Sequence, residues 1–246
     1  MSTLELDIGN TRTKWRLRES SGAVLRGVAS TAELKSGGLP SGLLQLCPQR
    51  VRAANVAGPA AAAALAGWVQ SQLGLVLELA RVDSPCAGVT CAYRDPRRLG
   101  VDRWLALLAA HRRDPGPALV VDCGSAVTID LLGAGGRHLG GYILPGLAAM
   151  RGALYRDTDA VKVAERLEPG MSLAPGRDTD SAVNRGLPMM VLGAIDRALR
   201  ELVASGGPEP GLWLTGGDGR FFSSLCDRPH QLVPELVLDG LVLSNP

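Results

Sequence analysis

Two stretches of this chain interrupt an apolar strand in the same unusual way. Residues 4–17 read LELDIGNTRTKWRL, and residues 119–132 read LVVDCGSAVTIDLL. In each, an apolar run meets an aspartate (Asp7, Asp122) and reaches a glycine two residues on (Gly9, Gly124). It then turns through hydroxyl-bearing residues and resumes as a second apolar run. A carboxylate is costly to bury without partners, so this pattern places both aspartates at strand ends that face a ligand. In α/β sheets, ligands bind outside the carboxyl ends of the strands. Glycine lets the turn adopt backbone angles closed to other residues. Successive N–H groups, with the hydroxyls of Thr11, Thr13, Ser125 and Thr128, can then wrap phosphate oxygens. A carboxylate beside a phosphate repels it unless a cation lies between, so each aspartate implies a metal or a monovalent cation. Lys14, one of only three lysines, sits just past the first turn. One such hairpin reads as an Asx-turn, whereas two at matching positions of the half-chains read as a ligand clamp. The chain has no GxxxxGK[ST] and no GxGxxG, which removes the Walker and Rossmann phosphate loops.

The rest of the pattern repeats around these hairpins. Strands are predicted over 3–8, 12–19 and 22–29, then a weak helical stretch over 31–46 and a strand over 51–57. An Ala-rich helix over 57–74, with Pro59 in its first turn, precedes an alternating strand at 75–82 and a loop at 84–99. Apolar spacing predicts a helix over 101–113, ended by DPGP. The order then restarts: strands over 118–123, 126–132 and 138–143, helical material over 146–167, and a long helix over 179–204. The strand LWLT runs into GGDG, and two short helical segments follow. This is an α/β duplication with its boundary near 114–117, giving halves 1–115 and 116–246. At 246 residues and 46% hydrophobic content, two small domains can each build a core.

Composition narrows the partners. Lys and Arg number 26 against 24 Asp and Glu, a net charge of +2, which gives no electrostatic reason to expect nucleic acid or an anionic membrane. No apolar run approaches the roughly 18 residues of a membrane span, and the N-terminus lacks the basic-then-apolar order of a signal peptide. Five cysteines without a CxxC pair predict reduced thiols in a cytoplasmic protein. The three histidines are scattered, so no His-based metal site is expected.

The paired hairpins resemble those of the actin/sugar-kinase/Hsp70 superfamily. Its members join two actin-like, ribonuclease H-like ATPase halves that clamp ATP in an interdomain cleft. Five motifs in order narrow the resemblance: DIGNTRTKW (7–15), GVDRW (100–104), DCGSAVTID (122–130), GGYILPG (140–146) and TGGDG (215–219). Together they resemble the signatures of the type III pantothenate kinases. One departure is Ser125, where that family usually has Thr; the hydroxyl is kept.

The resemblance implies ATP-dependent phosphorylation of pantothenate to 4'-phosphopantothenate, the first step toward coenzyme A. It implies a nucleotide-binding segment of Asp7, Ile8, Gly9, Asn10, Thr11, Arg12, Thr13 and Lys14, joined by Ser125. Asp7 would face phosphates carrying Mg2+, and Asp122 would hold a K+ or NH4+ ion. Asp102 would be the general base, and Tyr93, Gly100, Val101, Asp102, Arg103 and Thr179 would contact pantothenate. Locally, Asp102 also reads as a first-turn carboxylate countering the helix dipole, and Thr179 as a helix N-cap. The fork of Arg103 suits a carboxylate such as pantothenate's. Family members are typically homodimers, and the helix at 179–204 is a candidate contact surface. Two alternatives remain. A nucleotide-binding transcriptional accessory factor, of the Bvg accessory factor type, would keep Asp7, Asp122 and the Gly turns but could lose the base; Asp102 is present here. A sugar kinase or polyphosphate hydrolase of the same clamp fold is opposed by the pairing of GVDRW with DCGSAVTID.

Overall fold

The fold, from a computed structural model, is described for residues 2–19, 21–36, 47–158 and 161–245. Among these, two five-stranded sheets have the same construction. The first contains β1 (Thr3–Ile8), β2 (Arg12–Arg18), β3 (Val24–Ser30), β4 (Arg50–Asn55) and β5 (Leu77–Leu79), in the order β3-β2-β1-β4-β5. The second contains β6 (Ala118–Cys123), β7 (Ala126–Gly133), β8 (Arg137–Pro145), β9 (Gly211–Thr215) and β10 (Gln231–Leu232), in the order β10-β9-β6-β7-β8. In each, the first three strands form an antiparallel meander, the fourth joins the first in parallel, and the fifth joins the fourth in parallel. The duplication expected from the sequence is therefore present strand for strand.

The helices are α1 (Thr31–Lys35), α2 (Pro59–Trp68), α3 (Val101–Arg113), α4 (Leu147–Asp157), α5 (Thr179–Ala204), α6 (Gly219–Ser223) and α7 (Leu236–Ser244). On one face of the first sheet, Leu4, Leu6 and Ile8 pack with Val51, Ala53 and the α2 residues Ala61 and Leu65. In the second unit, Leu119, Val121 and Cys123 of β6 pack against Leu187, Val191, Ile195 and Leu199 of α5.

Several elements differ from expectation for local reasons. The strand at 75–82 contracts to β5, and the Ala-rich helix widens into a π turn over Val69–Leu73 before Gly74 ends it with φ +65°. The helix expected to 167 stops at Asp157. Asn184 of α5 instead anchors the following chain, bonding Ala164 O at 3.1 Å and Arg166 N at 3.0 Å. Residues 37–46 of the stretch expected to be helical lie outside the described residues. The N-cap of α5 is Asp178, whose carboxylate accepts from Ser181 N–H at 2.7 Å, so Thr179 is not the cap. That bond, first among the causes, holds the Asp178 carboxyl below its usual range.

Packing groups the chain into one unit of Met1–Ala87, Tyr93–Ala109 and Val237–Pro246, and a second of Gly88–Ala92 and Ala110–Leu236. This differs from a single division at 115/116, because α7 returns to the first sheet. Across that sheet, Arg16 on β2 and Arg52 on β4 stand directly opposite Glu5 on β1. All three are buried, at 4%, 5% and 0% exposure. Arg16 Nε and Arg52 Nε (3.0 Å) both donate to the Glu5 carboxylate. Arg16 Nη1 also reaches Asp239 Oδ1 at 2.6 Å, and Arg52 Nη1 reaches Asn245 O. The helix is seated further at Gly240, where a Cβ would lie 1.9 Å from Leu105 O of α3.

Candidate active site

In the first unit, Asp7 is the penultimate residue of β1, opposite Lys14 on β2 and Ala54 on β4. The turn after it closes through Gly9 N–H to Arg12 O at 3.1 Å. Thr31, at the start of α1, braces the turn: its hydroxyl donates to Gly9 O at 2.7 Å and its N–H to Thr11 O at 3.1 Å. With that proton committed, the Thr13 hydroxyl donates to Thr31 Oγ1 at 2.9 Å. Thr13 is thus engaged inside the turn, and Ile8 is a core side chain. Asn10, Thr11 and Arg12 are exposed at the tip, while Asp7 and Lys14 are half-buried.

The second elbow is one residue shorter, with 124–125 between its strands where the first has 9–11. Asp122 again precedes the last strand residue and stands opposite Thr128 and Thr215. Two distant motifs close on it. Gly146 donates its N–H to Ser125 O at 3.2 Å, and a Cβ there would lie 2.3 Å from Gly124 O. Gly216 has φ +93°, and its Cβ would lie 2.3 Å from Cys123 O and 2.4 Å from Asp122 Oδ1. Asp218, which sequence reading passed over within TGGDG, donates its N–H to Cys123 O at 2.8 Å. DCGSAVTID, GGYILPG and TGGDG are thereby one constellation, with Ser125 exposed at its tip. Burial, then Asp122 and Asp218, push the Cys123 thiol well up, so it stays protonated at neutral pH.

Gly216 packs its backbone against Cys123 O and the Asp122 carboxylate, so the donor set here decides whether a cation fits. No group of three or more His, Cys, Asp or Glu could enclose a metal among the described residues. A single carboxylate with backbone oxygens nearby suits an ion that takes its other ligands from water and phosphate. An added Cβ would clash with these atoms: Gly216→Ala is expected to destabilise the fold by about 1–3 kcal/mol. A thermal melt should read this as about 2–4 °C per kcal/mol. An unchanged melting temperature would refute the close approach.

A third cluster lies in the first unit, where α3 begins. Asp102, in its first turn, accepts from Arg103 N–H at 2.8 Å, and a Cβ on Gly100 would sit 2.6 Å from Asp102 Oδ1. Arg103 is 6% exposed, and its Nη1 donates to Tyr93 Oη at 3.0 Å. Its guanidinium carbon lies 5.8 Å from the centre of the Tyr93 ring. Tyr93, Gly100, Asp102 and Arg103 are therefore brought together, with Val101 buried behind them. Thr179 belongs to the second unit, exposed in the first turn of α5.

The family model for the type III pantothenate kinases matches residues 3–201. A type III pantothenate kinase from Chromohalobacter salexigens is 40% identical over 245 residues, 99% of this chain and 87% of that protein. One from Azotobacter vinelandii is 35% identical over 99% of this chain and 98% of its own length. Among solved structures, a Campylobacter jejuni protein assigned to the Baf family of transcriptional activators has a TM-score of 0.60 at 22% identity, covering 97% of this chain and 95% of its own. A Sinorhizobium meliloti protein assigned as a 2-dehydro-3-deoxygalactonokinase has a TM-score of 0.59 at 15% identity, covering 98% and 97%. These structural likenesses carry the fold, a duplicated actin-like α/β architecture. With motifs, register and relatives in agreement along nearly its whole length, the chain belongs to the type III pantothenate kinase family.

Proposed function

We propose that this protein transfers the γ-phosphoryl group of ATP to the primary hydroxyl of pantothenate, with Asp102 as the general base. The observation that carries this assignment is the Tyr93–Arg103–Asp102 cluster at the start of α3. Arg103 offers a rigid fork to the pantothenate carboxylate, and Tyr93 supplies the adjacent wall. Asp102 is oriented by Arg103 N–H and sits where the helix dipole favours a carboxylate. The hydroxyl oxygen of pantothenate bonds to the γ-phosphorus, the bond from that phosphorus to the β–γ bridging oxygen breaks, and ADP leaves. Asp102 takes the hydroxyl proton. Such transfers depend on positioning and charge neutralisation more than on covalent chemistry.

The Asp7 elbow, with Gly9 to Arg12 and Lys14, is assigned to the phosphates, and Ser125 to the nucleotide. Asp7 would hold Mg2+ through water, and Asp122 would hold K+ or NH4+. When bound, these cations neutralise phosphate charge. A homodimer is also proposed. Met189 and Met190 of α5 are 59% and 61% exposed and Tyr155 of α4 is 54% exposed, apolar surface that a second copy would cover. All five cysteines are free thiols, which supports a cytoplasmic setting, and no helix among the described residues is long and apolar enough to cross a membrane.

A coupled ADP-release assay tests the assignment. Turnover should require pantothenate and rise when K+ or NH4+ is added. ADP release without pantothenate dependence, or dependence on a sugar instead, would overturn it.

A further inference from the structure

Asp130 and His138 form a buried pair that phosphoryl transfer leaves unused. Asp130 interrupts the apolar run of β7 at 2% exposure, and the His138 side chain on β8 is fully enclosed. His138 stands opposite Leu132, on the same face as Asp130 two residues along, so the pair spans the diagonal between antiparallel strands. His138 Nε2 lies 3.1 Å from Asp130 Oδ1. The other ring nitrogen, Nδ1, accepts the N–H of Ala92 at 3.4 Å. An amide N–H only donates, so Nδ1 is bare and the ring proton sits on Nε2, directed at the carboxylate.

The Ala92 contact is the last of several that hold segment 88–92 along the edge of β8. Thr90 N–H donates to Gly136 O at 2.9 Å, and His138 N–H donates to Thr90 O at 2.9 Å. Thr90 thereby forms a parallel bridge with Arg137, and Val89 is buried. At Gly136, with φ +73°, a Cβ would lie 2.0 Å from Gly88 O and 3.1 Å from the His111 ring. A side chain at that crossing would force segment 88–92 to shift. The residue bonded to Ala92 is Tyr93, whose hydroxyl receives Arg103 Nη1–H.

We infer that Asp130 and His138 are positioning residues for the acceptor site. The carboxylate fixes the imidazole tautomer, the imidazole fixes Ala92, and the next peptide bond sets Tyr93 against the substrate. The pair acts through Tyr93, so the inference stands on the assignment of Tyr93 and Arg103 to pantothenate.

Steady-state kinetics on the intact protein test it. His138→Leu and Gly136→Ala are each expected to raise KM for pantothenate about tenfold with KM for ATP unchanged. His138→Asn, whose amide oxygen can accept the Ala92 N–H, should recover most of that loss. Combined with Tyr93→Ala, His138→Leu should add nothing further. Equal changes in both KM values, or additive effects in the double variant, would reduce the pair to a fold-stabilising role and overturn the inference. If His138→Leu does not fold, Gly136→Ala decides alone, because it displaces the segment while leaving the pair intact. Should Tyr93→Ala leave KM for pantothenate untouched, the assignment of Tyr93 itself falls. A raised KM there, with none in His138→Leu or Gly136→Ala, overturns the positioning role of Asp130 and His138 alone.

Discussion

Asp102→Asn is expected to lower kcat by about 10²–10⁴-fold, the range a positioned general base contributes, while ATP binding is retained. Asparagine keeps the size of the side chain and an oxygen that can accept Arg103 N–H, so the start of α3 should be preserved. What disappears is the carboxylate proposed to receive the substrate proton. Turnover with saturating pantothenate, paired with calorimetric titration of ATP, separates the two effects. Wild-type turnover in the variant would remove Asp102 from the base role. Loss of both turnover and ATP binding would point to a damaged fold.

The second large effect concerns stability. Glu5→Ala removes the carboxylate that Arg16 and Arg52 share in the interior of the first sheet. Breaking a buried ion pair from one side costs about 3–5 kcal/mol, because the partner charges stay buried. Set against a total stability of about 5–15 kcal/mol, that is a severe loss. For a chain of this size it corresponds to a fall of roughly 6–20 °C in Tm. Replacing the three residues together with apolar side chains of similar volume should recover much of the loss. A melting temperature unchanged by Glu5→Ala would show that the row contributes little.

That row was not legible in the sequence. Charges alternating with apolar residues, as in LELDI and KWRLR, normally mark a strand with one wet face. Here the polar face is covered by α7, a helix far away in the chain, and only the register of three strands reveals Glu5 opposite two arginines. Asp130 left a stronger signal, a lone carboxylate in an otherwise apolar run, but its partner is set by a bulge between Leu131 and Leu132 that no periodicity announces. By contrast, α3 and α5 were readable because their apolar spacing and flanking breakers are local properties. The two elbows were readable for the same reason, each being a strand end, a glycine and a hydroxyl within a few residues. What brings Gly146 and Gly216 onto the second elbow is tertiary, and the local pattern of neither motif announces it. The helix expected to 167 was over-extended because helical composition persists past Asp157, while Asn184 draws that segment into side-chain bonds instead.

The return of α7 to the first sheet carries a consequence for biosynthesis. Domains ordinarily fold in the order in which they leave the ribosome. Here Arg16 and Arg52 meet Asp239 and Asn245 only after the whole intervening unit has been translated. The nascent first sheet must therefore wait, its arginines only partly paired, until residues 237–245 emerge to seal it.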